Sequence, residues 1–140
     1  DHLRDYPDEK LQHLYDIGEL MPPEILVQWL IEKVKSMNYS FVLDGSLRTL
    51  SEAKEFSEFL RDNGFFIKIF HLDVSPEESI RRNLARGRDA TDSSREVIEE
   101  RLKEYNTRTK PAIEFLKDNV IHINGEQSIE KVTEEILNYL

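Results

Sequence analysis

The sequence contains no cysteine, which removes thiolate nucleophiles, cysteine-ligated zinc, iron–sulfur clusters and any disulfide framework. It also lacks a long hydrophobic run. Stretches such as Phe65-Phe66-Ile67 are quickly interrupted by charge, far short of the roughly 20 apolar residues a helical bilayer span needs. Positive charge is in deficit: 28 acidic against 19 basic residues give a net charge of -9, which disfavours a sequence-independent grip on nucleic acid. Asp1-His2-Leu3-Arg4 has no signal-peptide pattern, and with no thiols the expectation is a cytoplasmic protein. Glycine and proline are scarce, five of each in 140 residues, and no repeat, low-complexity tract or linker divides the chain. Its length suits one domain with its own core.

What is present is alternating helix and strand character. After Pro22-Pro23, the residues Val27, Leu30, Ile31 and Val34 recur at the spacing of one helix face. Phe41-Val42-Leu43 reads as a short buried strand ending at the Asp44-Gly45 turn. A helix capped by Ser51 carries Phe56, Phe59 and Leu60 to a stop at Asn63-Gly64. Phe66 to Leu72 reads as a second strand, and Ser75-Pro76-Glu77-Glu78 opens a helix that ends near Gly87. A long helix from Ser94 through Ile98, Leu102 and Tyr105 is expected to bend at Pro111. Val120 to Ile123 reads as a third strand, followed by a last amphipathic helix bearing Ile129, Val132, Ile136, Leu137 and Leu140. Strands separated by helices imply an α/β fold, a three-layer parallel sheet with helices on both faces.

Two segments carry candidate chemistry. Asp44, at the carboxyl end of a strand and followed by Gly45 and Arg48, lies where open α/β sheets bind ligands. There Asp44 could face magnesium through water and Arg48 could fork onto a phosphate; a turn-capping Asp beside a surface Arg accounts for the spacing equally well. The second is a run of arginines, Arg81, Arg82, Arg86, Arg88, Arg95 and Arg101, in an otherwise acidic chain. Guanidinium suits bidentate phosphate contacts, but Glu77, Glu78, Glu96, Glu99 and Glu100 also offer partners for an ordinary salt-bridged surface.

Beyond these, Gly18-Glu19-Leu20-Met21-Pro22, Leu43-Asp44-Gly45-Ser46-Leu47-Arg48-Thr49, Arg82-Asn83-Leu84-Ala85-Arg86-Gly87 and Arg101-Leu102 with Tyr105, Thr109 and Pro111 stand in one order. In that order they resemble the adenylate kinases and their nucleoside-monophosphate kinase relatives. The resemblance covers essentially the whole chain and implies a single domain over residues 1–140. Within it, an acceptor-binding arm and following core would occupy about residues 5–60, and a short lid without zinc about residues 87–94. It implies a monomeric transferase moving the terminal phosphoryl group of ATP, with Mg2+, to a nucleoside monophosphate, AMP first. By position, Arg4, Leu20, Met21, Gly45, Arg48 and Glu52 would bind the acceptor. Arg82 would stack on the donor adenine, Arg86, Arg88 and Arg101 would close over the transferred group, and Asp44 would hold magnesium through water. Gly18 and Gly87 would be hinges. Such chemistry needs positioning and charge neutralisation more than a nucleophile.

The sequence also departs from the pattern. Ser46-Leu47 replaces Phe-Pro at the turn, and Glu52, which can only accept hydrogen bonds when ionised, stands where AMP-preferring members carry glutamine. No Gly-x-x-x-x-Gly-Lys-Ser/Thr cradle for donor phosphates occurs. The expected sheet therefore lacks its central P-loop strand, and an amino-terminal strand–loop–helix unit of roughly 30 residues is expected to be missing or supplied elsewhere. The alternative is a non-catalytic nucleotide-binding module derived from such a kinase; an acidic helical adaptor with no ligand leaves the resemblance unexplained. His71 and His122, inside apolar strands, are read as hydrogen-bonded strand residues rather than ligands, and Trp29 as packing.

Overall fold

A computed structural model describes residues 22–37, 39–86 and 94–140. Arg4, Gly18, Leu20, Met21, Gly87, Arg88 and the lid segment 87–93 lie outside the described residues. Helix α1 spans Pro23–Lys35 and α2 spans Leu50–Asp62. Strand β1, Ile69–Asp73, leads into α3, Pro76–Arg86. Helix α4, Arg95–Glu104, runs through a π-helical turn at Tyr105–Thr109 into α5, Lys110–Phe115. Strand β2, Val120–Asn124, and α6, Ile129–Leu137, complete the order.

The periodic residues of α1 behave as their spacing requires. Val27, Leu30 and Val34 are buried with Phe56 and Leu60 of α2, and Trp29, Ile31, Phe41, Leu43 and Phe65 pack around them. This α1–α2 core lies beneath the Asp44 turn. Helix α2 starts earlier than expected, because Thr49 and not Ser51 is its cap. The Glu52 amide donates to the Thr49 hydroxyl at 3.3 Å, and the Thr49 amide donates to the Glu52 carboxylate at 3.0 Å. That reciprocal pair satisfies two amides that no helical carbonyl can reach. At the other end Asn63 caps and Gly64 takes φ +74°, as the Asn-Gly signal implies.

The expected bend at Pro111 is resolved as a change of helix type. Proline has no N–H to donate and its ring crowds the carbonyl four residues back. The chain widens just before it: the Lys110 amide donates to the Tyr105 carbonyl, five residues away.

The sheet corrects the expected architecture. Among the described residues it has two strands, β1 and β2, parallel and in register from Ile69↔Val120 to Asp73↔Asn124. Phe41-Val42-Leu43 forms no strand, and the second strand begins at Ile69 rather than Phe66. The side chains give the reason. Phe41, Leu43, Phe65 and Ile67 pack on the α1–α2 core, but Val42 is 92% exposed and Phe66 is fully exposed, so one face of these segments is uncovered, and among the described residues they have no ladder partner to favour strand geometry. Helix α6 packs against β2 but leaves Ile129 and Leu137 exposed. No helix among the described residues is long and apolar enough to cross a membrane.

Phe56, fully buried, is the largest side chain of the α1–α2 core. Phe56→Ala is expected to cost about 3–5 kcal/mol of unfolding free energy and Thr49→Ala about 1 kcal/mol, measured by urea denaturation.

Candidate functional site

The turn from Asp44 to Thr49 gathers three of the expected site residues. Gly45 takes φ +68°, and Leu47, where the resemblance leads one to look for proline, takes φ +59° with no cis peptide bond. Leucine in this left-handed region is uncommon and costs roughly 1–2 kcal/mol, so the surrounding packing of Leu47 on the α1–α2 core holds it there. Arg48 folds back over the turn, its Nε donating to the Gly45 carbonyl at 2.6 Å. A side chain at Gly45 would meet the Arg48 guanidinium at 3.0 Å, a flexible group that could shift, so it is the left-handed backbone that favours glycine there. Asp44 and Arg48 are exposed on the same turn. Glu52 is 5% exposed, and its carboxylate serves the cap of α2.

The arginines lie on the helix pair that flanks residues 87–93. On α3, Glu78 accepts from Arg81 at 2.6 Å and from the Arg82 Nε at 2.7 Å. Arg82 also donates to the Gly125 carbonyl at 2.8 Å, beyond the end of β2. Gly125 lies so close to β1 that an added Cβ would fall 2.7 Å from Val74. Arg86 donates to Asn83 at 2.8 Å. Arg101 is on α4, which packs on α3. The structure thus brings Arg82, Arg86 and Arg101 onto one helix pair and places Asp44, Gly45, Arg48 and Glu52 on the approach to α2.

A third group joins residues that the sequence assigns only to strand packing. His71 and His122 face each other across the β1–β2 ladder, and Asp73 lies on the same strand face as His71. The Asp73 carboxylate bridges them, 2.8 Å from His71 Nδ1 and 2.9 Å from His122 Nδ1. His71 Nε2 lies 2.8 Å from the Tyr105 hydroxyl. Partial desolvation works to raise the Asp73 pKa, but the hydrogen bonds from His122 and His71 outweigh it and hold the carboxyl below its ordinary value. Burial, with the Asp73 charge, pushes the Tyr105 hydroxyl up. These groups line an open cleft of about 880 Å³ with Ser75 and Lys110. The available signal was His71-x-Asp73 in one strand and a single histidine midway along the other; the register that unites them is not written in either segment alone.

A family model described as Zeta toxin matches residues 3–138. An adenylate kinase of Leptospira biflexa is 35% identical over 129 residues, spanning 87% of this chain and 69% of that protein. An adenylate kinase of a Synechococcus strain is 34% identical, spanning 86% and 66% respectively. An adenylate kinase 1 of a Nostoc strain is 33% identical, spanning 91% and 71%. The chain belongs to the adenylate kinase family. The Zeta toxin match places it in the P-loop kinase-like fold, which is the setting in which β1 and β2 pair in parallel with helices between them. The chain spans about two thirds of the length of these adenylate kinases.

For a member of this family the Glu78 cluster is a checkable landmark at the root of the arginine-bearing helices. Hydrogen bonds from Arg81 and then Arg82 hold the Glu78 carboxyl at about 2, against an ordinary 4.5. Its folded pKa is depressed, so the interaction is fully present above the unfolded value and is lost as pH falls through about 2. A carboxyl-carbon NMR titration is expected to find the Glu78 midpoint well below those of other surface glutamates, and to find it moved towards the ordinary value in Arg81→Ala/Arg82→Ala.

Proposed function

We propose that this chain provides the acceptor-binding and closing parts of a nucleotide kinase that moves the terminal phosphoryl group of Mg-ATP to a nucleoside monophosphate, AMP first. The observation that carries the reading is the Asp44–Arg48 turn, built on the buried α1–α2 core in a chain related to adenylate kinases. An acceptor phosphate oxygen attacks the terminal phosphorus of ATP as the bond to the bridging oxygen breaks, so two nucleoside diphosphates leave. The transition state is loose and strongly anionic, and its stabilisation is mainly electrostatic and positional.

In this reading Arg48 binds the acceptor phosphate. Its Nε is anchored on Gly45, which holds the exposed guanidinium over the turn, within reach of a forked phosphate contact. Arg4 is its partner, with Leu20 and Met21 beside the acceptor base. Asp44 holds the water shell of the magnesium that accompanies ATP; its exposed carboxylate at the mouth of the turn has the chemistry for that role. Arg82 stacks on the donor adenine, and Arg86, Arg88 and Arg101 neutralise the charge of the transferred group. Glu52 can accept from an exocyclic amino group, which adenine and cytosine both carry, only by sharing the carboxylate that caps α2. The protein acts as a monomer, and the short lid expected over about residues 87–94 closes over the site to exclude water.

The donor-phosphate cradle is not among these 140 residues. The outer edge of β1 and the segment 41–43 are unpaired among the described residues, which supports a further strand–loop–helix unit lying between them. The second reading, a module that holds a nucleotide without phosphorylating it, is favoured by the altered Ser46-Leu47 turn, with Leu47 in the left-handed region.

Calorimetry with AMP tests the acceptor assignment. The chain is expected to bind AMP, and Arg48→Ala to bind it about 10- to 100-fold more weakly, the loss of one charged hydrogen-bonding group, with unchanged circular dichroism. No binding of AMP, CMP, GMP or UMP overturns the assignment. ADP formed from ATP and AMP decides for the enzyme over the module.

A further inference from the structure

Asp73 is wedged between two imidazoles whose Nδ1 atoms both point at it. The ligand atoms of His71, Asp73 and His122 all lie within 4.8 Å of one another, and the contacts to the carboxylate are 2.8 and 2.9 Å. A tetrahedron of ordinary zinc–nitrogen and zinc–oxygen bonds sets its ligand atoms about 3.3 Å apart. The two contacts to the carboxylate lie within about half an ångström of that edge and the whole set within 4.8 Å, and the groups are accessible: the His122 side chain is 62% exposed and that of Asp73 50%. We propose that His71, Asp73 and His122 form a binding site for a divalent transition-metal ion, with zinc as the natural probe.

The donor set suits that class of ion. Two imidazoles, borderline ligands, beside one carboxylate match zinc and its neighbours rather than magnesium or calcium, which take oxygen ligands. The outer shell is already in place. With Nδ1 of His71 turned to the metal, its proton resides on Nε2 and is donated to the Tyr105 hydroxyl at 2.8 Å. Ligating histidines use such a contact to fix ring orientation and tautomer. Tyr105 is the first residue of the π-helical turn. The remaining coordination positions open into the cleft and are filled by water. The ion would bolt the carboxyl ends of β1 and β2 together, and this site is independent of the kinase reading.

Zinc chloride is titrated into the apo chain in a non-chelating buffer, by calorimetry. One equivalent is expected, His122→Ala is expected to weaken binding by more than about 100-fold, and Tyr105→Phe by about 10-fold, the range of an outer-shell loss. Asp73→Asn is a second variant, which keeps the shape of the bridge while removing its charge. The sequence has two other histidines, His2 and His13. A double variant, His2→Ala/His13→Ala, is expected to bind as the parent does. Absence of zinc binding, binding unchanged in both His122→Ala and Asp73→Asn, or binding lost in the His2/His13 variant overturns the proposal.

Discussion

The parallel pairing of β1 with β2 is the constraint on which the carboxyl-terminal half of the structure depends. It joins segments separated by three helices and a π-helical turn, so its loop-closure cost must be met by contacts that exist only once the register is set. The register supplies them. Gly125 passes under Asp73, its amide donating to the Asp73 carbonyl at 2.9 Å; Arg82 then reaches the Gly125 carbonyl, and the Ser75 amide donates to Glu126 at 2.8 Å. A slip by one residue would turn every side chain of β2 to the other face, separating His122 from Asp73 and removing the buried Ile123 from its place.

Much of this was legible from local pattern. The helix faces of Val27, Leu30 and Val34, the stop at Asn63-Gly64, the cap at Ser94 and the strand around Ile121 all follow from periodicity and end signals that act within a few residues. The cap of α2 falls at Thr49 rather than Ser51 although both are capable acceptors, and only the return bond from Glu52 discriminates between them. The failure at Phe41-Val42-Leu43 has a different origin. β propensity describes a residue that fits a half-buried pleated surface, and that surface must be provided by neighbours that the described residues do not supply. A segment can have strand composition and still have nothing to pair with.

The candidate site divides the same way. Asp44, Gly45 and Arg48 are close together in the chain, so their grouping was readable, although the left-handed Leu47 that replaces a proline-shaped turn was not. The histidine cluster was missed because each histidine sits in an apolar run where a satisfied histidine is ordinary. What makes the cluster unusual is the opposition of His71 to His122, and that is a property of pairing between distant segments. Glu52 shows a further limit: the reading that set it beside an acceptor base overlooked its place in the reciprocal cap with Thr49, because Ser51 competes as a cap in the sequence.

The π-helical turn gives the long rod from Arg95 to Phe115 two working faces. Each residue added to a helix rotates the downstream chain by about 100°, so a one-residue widening at Tyr105–Thr109 turns α5 away from the side presented by α4. Ile98 is buried on the first segment and Ala112 on the second, and the two segments pack on different partners, α3 and α2. The rod therefore links the helix pair that carries Arg82, Arg86 and Arg101 to the helix that begins beside Arg48, through a joint whose hydrogen bonds are set to a wider pitch.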